Sequence, residues 1–168
     1  MFNRSPIRAD TRRALGIADS ERILAWGIGD SSEPESSFVV ATSAALYDQR
    51  SQTCYPWVDV IKGTWEQPNF HLTVARGTGS QRILLRVDQP NDLPAAVRDR
   101  VTDTVVVSEH LDLGHGAGAQ FVARREPGGG VEDIRWSVVF DSGLDPGDPA
   151  LRAAADGALR ELRSSLGI

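Results

Sequence analysis

The chain has 168 residues, 40% hydrophobic and 24% charged, with a net charge of -5 and one cysteine, Cys54. That length and balance suit a single domain over 1–168 and exclude wholesale disorder. One thiol excludes an internal disulfide framework and a multi-cysteine zinc site, and the acidic balance argues against a nucleic-acid-binding surface.

No apolar run reaches the roughly 20 residues that span a bilayer. The first residues, Met1-Phe2-Asn3-Arg4-Ser5-Pro6, lack the apolar middle of a signal peptide. A soluble cytoplasmic protein is expected. Lys62 is the lone lysine among 18 basic residues; with abundant Ala, Gly, Val and Asp, that arginine excess points to a GC-rich bacterial genome.

The elements follow in chain order. A helix within 1–18 is predicted from Ser5 as N-cap and Pro6 at the first helical position, ending at Gly16 as a left-handed cap. Its Arg4, Arg8, Arg12 and Arg13 fall at helical spacing, which allows a basic face toward acidic lipid or a partner. A meander of about six short strands is predicted over 20–90 from period-two alternation. In its first strand, 21–28, Leu24, Trp26 and Ile28 share a face. A long strand over 53–66 is expected to break near Pro56, because proline cannot donate to the ladder. Ile83, Leu85 and Val87 alternate with Arg82 and Arg86 after the Gly77-Thr78-Gly79 turn.

A helix over 92–103 is predicted from Asp92 and Pro94, with Leu93, Val97 and Val101 on one side. Additional strands are expected within 104–141: a strand at 105–107, a loop around 114–118, and a hairpin of 120–125 with 134–140. In the hairpin's second arm Ile134, Trp136, Val138 and Phe140 face one way. The last helix, 148–167, opens on Asp148-Pro149 and carries the stripe Leu151, Ala155, Ala158, Leu162 and Leu166. The fold class is α+β: an antiparallel small β-roll or split barrel, with a mid-chain helix, an extra β-hairpin and a C-terminal amphipathic helix to hide its edges.

Glu21-Arg22-Ile23-Leu24, Phe38-Val39-Val40-Ala41-Thr42, Leu46-Tyr47, Pro56-Trp57, Val60 and Trp65 together resemble the opening of bacterial pleckstrin-homology-like and GRAM-like domains over residues 20–90. The resemblance implies a roll of seven strands and one helix. It would place a phosphoinositide head group in the loop after the first strand. Here that loop carries Asp30, Glu33 and Glu35 and no basic residue, so a polyanion is repelled and phosphoinositide binding is not expected.

The residues able to do chemistry are few. Cys54 would need a general base within hydrogen-bond reach to act as a nucleophile. A hairpin at Gln67-Pro68 sets His71 opposite Thr64, ten positions from Cys54 and roughly 33 Å along an extended strand. Glu109, His110, Asp112 and His115 form the one metal-like cluster. Their spacing fits no strong ligand rule, and a strand would put Glu109 and His110 on opposite faces. The 113–118 glycine run lacks the Lys-Ser/Thr ending of a phosphate loop, and Asp141, Asp145 and Asp148 lack the bidentate Glu of a calcium loop.

No cofactor is expected. The reading is a non-enzymatic binding or scaffold module for a protein or peptide partner, with Tyr55 and Trp57 at an exposed bend beside Pro56 as the contact residues. Two alternatives stay open: a small metal-dependent enzyme using 109–115, and peripheral membrane association through the arginine-rich first helix. An edge strand after Gly118 also allows a homodimer.

Overall fold

The structure, a computed structural model, describes residues 7–30, 32, 37–77 and 79–168. It is mixed α+β, with ten strands in three antiparallel sheets and three helices among the described residues. The chain divides into two compact units, Met1–Val74 with Arg82–Thr102 and Ala75–Gln81 with Asp103–Ile168. The physical reason is that each unit closes its own apolar core.

The first unit holds two sheets. Strands β1 (Ile23–Ile28), β2 (Phe38–Thr42), β3 (Ala45–Asp48) and β4 (Thr53–Pro56) pair in that order, and β5 (Val60–Glu66), β6 (Asn69–Arg76) and β7 (Gly79–Arg86) form the second sheet. The break expected at Pro56 is a single helical turn, Trp57–Asp59, between β4 and β5. The hairpin register sets Thr64 opposite His71, as the Gln67-Pro68 turn requires.

Both sheets contribute to one core that includes Ala25, Leu46, Trp57, Phe70, Leu72 and Leu85. Burying each large side chain there contributes about 1.5–3 kcal/mol. Helix α2 (Leu93–Thr104) completes this core with Leu93 and Val97, both fully buried, and with Val101 packed alongside. Glycines let the helix settle. A Cβ on Gly27 of β1 would stand 3.3 Å from Leu93, and one on Gly63 of β5 would stand 3.0 Å from Val97. Ile28 and Gln89 exchange two backbone hydrogen bonds, joining β1 to the segment that leaves β7.

The outer face of the first sheet is covered as well. Helix α1 (Ala9–Ala14) and the residues on either side of it lay Ile7, Leu15 and Ile17 over Ile23, Trp26, Phe38, Val40, Ala45 and Tyr47. This explains why β3 is buried along its whole length and β2 along all but its first residue: a strand covered on both faces reads as a continuous apolar run. Trp26 points to this outer layer, where it meets Phe38 edge-on at 5.8 Å, while Ala25 faces the main core. Arg8, without a side-chain cap, precedes the first turn of α1, and Gly16 takes the left-handed conformation at φ 68°. Ser5, Pro6 and Arg4 lie outside the described residues.

The second unit contains a three-stranded meander, β8 (Val105–Gly114), β9 (Ala117–Arg124) and β10 (Arg135–Phe140), and helix α3 (Pro149–Leu166). The Asp148 carboxylate accepts from the Ala150 N–H at the start of α3, and Gly167 ends the helix at φ 71°. Ala155, Ala158, Leu159 and Leu162 pack on Ala119, Phe121, Leu111, Leu113, Trp136, Val138 and Phe140. Leu166, placed in the stripe by spacing, is 45% exposed instead, because it lies in the last turn. β8 extends beyond the expected 105–107 as far as Gly114, the loop expected around 114–118 is the tight turn between β8 and β9, and the strand after Gly118, expected at an edge, is the central strand β9 because β8 and β10 pair on either side of it.

Candidate functional site

Tyr55 and Trp57 are not exposed. They are 4% and 1% accessible and belong to the main core. The turn after Pro56 rolls the indole inward, where its N–H donates to the Thr42 carbonyl at 2.8 Å. A buried indole finds a polar partner for its one donor. The expected contact bend is therefore a structural anchor rather than an exposed contact surface.

The metal-like cluster is dispersed by the pleat. On β8, Glu109 and Leu111 share the helix-facing side with Phe121 and Ala119, whereas His110 and Asp112 share the opposite side with Gln120 and Gly118. His115 sits in the turn at φ 53°. Asp112 caps that turn by accepting from the Gly114 N–H at 2.7 Å. Among the described residues no three His, Cys, Asp or Glu side chains gather in a way that could hold a metal ion.

His110 has a partner that spacing did not suggest. Its Nε2 lies 2.9 and 3.1 Å from the two carboxylate oxygens of Asp141, which follows β10. The pair reaches across β9 at Gly118, and both side chains are about half exposed. A lone glycine inside a strand was the available signal, since it marks a close approach over the backbone.

A second polar group ties the first unit together. The Glu21 carboxylate accepts from the Thr42 hydroxyl at 2.6 Å and from the Tyr47 hydroxyl at 2.8 Å. Tyr47 stands directly opposite Cys54 on the neighbouring strand. Burial pushes the Tyr47 phenol far above its ordinary value, and its bond to Glu21 adds to the shift. Desolvation also pushes the Cys54 thiol up. A raised thiol carries less thiolate at neutral pH, the opposite of what an activated nucleophile needs.

The arginines of the N-terminal segment are divided. Arg12 donates to the carbonyls of Ala18 and Glu21, the latter at 2.7 Å, and so fastens α1 to the approach to β1. Arg13 lies 3.5 Å from Asp10. Two of the four arginines expected to make part of one helix face basic are thus engaged within the segment itself. No described helix is long and apolar enough to cross a membrane.

The surface feature that sequence reasoning missed lies on the outer side of the β5–β6–β7 sheet. Gly63, Trp65, Phe70, Leu72, Val74, Ile83 and Leu85 face the core side, so alternation turns Lys62, Thr64, His71, Thr73, Arg82, Leu84 and Arg86 outward. Leu84 is 61% exposed, the most exposed of the large hydrophobic residues described. Lys62 and Arg82 are exposed and, among the described residues, engaged in no ion pair. Arg86 is held at 2.8 Å by Asp88. His71 stands 3.8 Å from Glu66. The sequence did carry a signal here. In Arg82-Ile83-Leu84-Leu85-Arg86, Leu84 is an apolar residue on the polar phase of the alternation.

Comparison with known proteins returns no matching family model, no similar curated protein and no similar solved structure.

Proposed function

We propose that the chain is a non-enzymatic binding or scaffold module of a bacterial cytoplasm that recognises a protein partner through the outer face of its β5–β6–β7 sheet. The observation that carries this reading is Leu84, a leucine 61% exposed on the same sheet face as the exposed cations Lys62 and Arg82. An exposed apolar side chain among charges of one sign suits contact with a partner of opposite charge. The first unit suits a pleckstrin-homology-like or GRAM-like roll: four strands, three strands and one helix follow in chain order over a shared core. The polar groups with chemical potential support the same reading. Glu21 is occupied by Thr42 and Tyr47, His110 by Asp141, and the Cys54 thiol is raised.

The test is site-specific photo-crosslinking in the native cell extract. A crosslinker placed at Thr73, opposite Lys62 on the same face as Leu84, should yield a discrete adduct that Leu84→Asp removes. Cys54→Ser and His110→Ala should leave it intact. An adduct indifferent to Leu84→Asp and lost with His110→Ala would move the site to the second unit and defeat the proposal.

A further inference from the structure

We infer that the segment recognised by this face is acidic: a peptide stretch that offers carboxylates to Lys62 and Arg82 and an apolar side chain to Leu84. The inference rests on the contact reading above and adds the chemistry of the partner. In a chain of net charge -5, the outward side of this one sheet carries Lys62, Arg82, Arg86 and His71 against the carboxylates of Glu66 and Asp88. Asp88 neutralises Arg86, and Glu66 stands beside His71. Lys62 on β5 and Arg82 on β7 therefore hold the uncompensated charge, on the two outer strands of the sheet. Thr64 and Thr73 add hydroxyls on the same face.

Leu84 lies on β7 between Arg82 and Arg86, with Lys62 on the far strand β5, so an apolar side chain stands among cations; in a protein–protein contact such opposite charge sets orientation and encounter rate. A polyphosphate fits it less well. Nucleic acid and anionic lipid are bound by many cations acting together. Two uncompensated charges beside a carboxylate, on a molecule that is negative overall, provide too little, and an exposed leucine has no use on a phosphate backbone.

The test uses the full chain and a fluorescein-labelled peptide alternating Glu with Leu, read by anisotropy. The matched peptide alternating Gln with Leu, a labelled single-stranded DNA oligonucleotide and phosphatidylserine vesicles serve as comparisons. The Glu peptide should bind about tenfold more tightly than the Gln peptide, a difference of about 1.4 kcal/mol. Lys62→Glu combined with Arg82→Glu should abolish that difference, and so should salt near ~0.5 M, because exposed pairs are screened. Thermal melting should be unchanged in this variant, since both side chains are exposed. Equal binding of both peptides, lost in Leu84→Ser, would overturn the acidic chemistry while leaving the contact reading in place. Failure of the Glu peptide to bind, or binding of the oligonucleotide or vesicles in its stead, would overturn the inference. Loss of the Leu84-dependent adduct in cell extract would remove the contact reading beneath it.

Discussion

The imidazole of His110 and the carboxylate of Asp141 meet over a strand that belongs to neither: Nε2 to Oδ1 is 2.9 Å, and Gly118 of β9 passes beneath. A Cβ at Gly118 would stand 2.6 Å from the Asp141 carboxylate and 2.7 Å from the His110 ring. Both obstructing groups are the far ends of exposed side chains, so they can swing away at little cost. Gly118→Ala should therefore keep the fold, changing stability by about 1 kcal/mol or less, while separating the pair. A double-mutant cycle of His110→Ala and Asp141→Asn should give a coupling of about 0.5 kcal/mol in the parent chain. In Gly118→Ala the coupling should vanish. An undiminished coupling there would mean that the two side chains do not need the glycine.

Which relationships the residues announce depends on the range of the physics. Period-two alternation is local, so the strand with Trp136, Val138 and Phe140 inward was legible, as was the Thr64–His71 register from one hairpin turn. The α3 start was legible because Asp148 and Pro149 are neighbours. Trp26 and Trp57 were not. Which layer receives each indole is decided by α1 covering the first sheet and by the turn at Pro56, and neither is visible in the spacing of the tryptophans. The 109–115 stretch was half legible: the strand alternative correctly separated Glu109 from His110, but Asp141 lies 31 positions away and reaches His110 only through sheet pairing. Leu84 was visible as a break in alternation, yet an exposed leucine alone is ordinary. It acquires meaning only when Lys62 and Arg82 are seen to share its face.

Gly27 offers a contrast to Gly118. Its added Cβ would stand 2.7 Å from Val87, 2.9 Å from the Gln89 carbonyl oxygen and 3.3 Å from Leu93. One of these is backbone, and it belongs to the residue that bridges to Ile28. Relief requires moving α2 or parting that bridge. Gly27→Ala should cost about 2–3 kcal/mol, read from the urea midpoint at unchanged slope. A change below about 0.5 kcal/mol would show that the helix does not rest on this strand as described.

Trp57 tests the correction made to the expected contact bend. Trp57→Ala removes a side chain that is 1% exposed and leaves the Thr42 carbonyl without its indole donor. The expected loss is about 3–5 kcal/mol. Trp57→Phe preserves most of the apolar volume and isolates the polar part, with an expected loss of about 1–3 kcal/mol from the unsatisfied carbonyl. Equilibrium unfolding followed by circular dichroism separates the two. If Trp57→Ala unfolded within about 1 kcal/mol of the parent, the indole would belong at the surface after all.

The Tyr47–Glu21 bond gives the first unit a signature on the alkaline side. Burial and the bond to Glu21 raise the Tyr47 phenol above its ordinary value of 10.0, so the folded chain holds that proton more tightly than the unfolded chain does. Between the unfolded and the folded values the folded state binds more protons, and stability must fall as pH rises. The contribution is whole below about pH 10 and is lost as pH climbs through the raised folded value. Cys54, raised from 9.0, adds a loss of the same sign that begins nearer pH 9, and Cys54→Ser removes it without touching the phenol. In that background, Tyr47→Phe should lower stability at neutral pH by about 0.5–1.5 kcal/mol, the worth of the bond to Glu21. It should also flatten the decline above pH 10, so the two curves converge as pH rises. Urea unfolding at stepped pH reads both effects together, and parallel curves with no convergence would show that the phenol keeps its ordinary proton affinity in the folded chain.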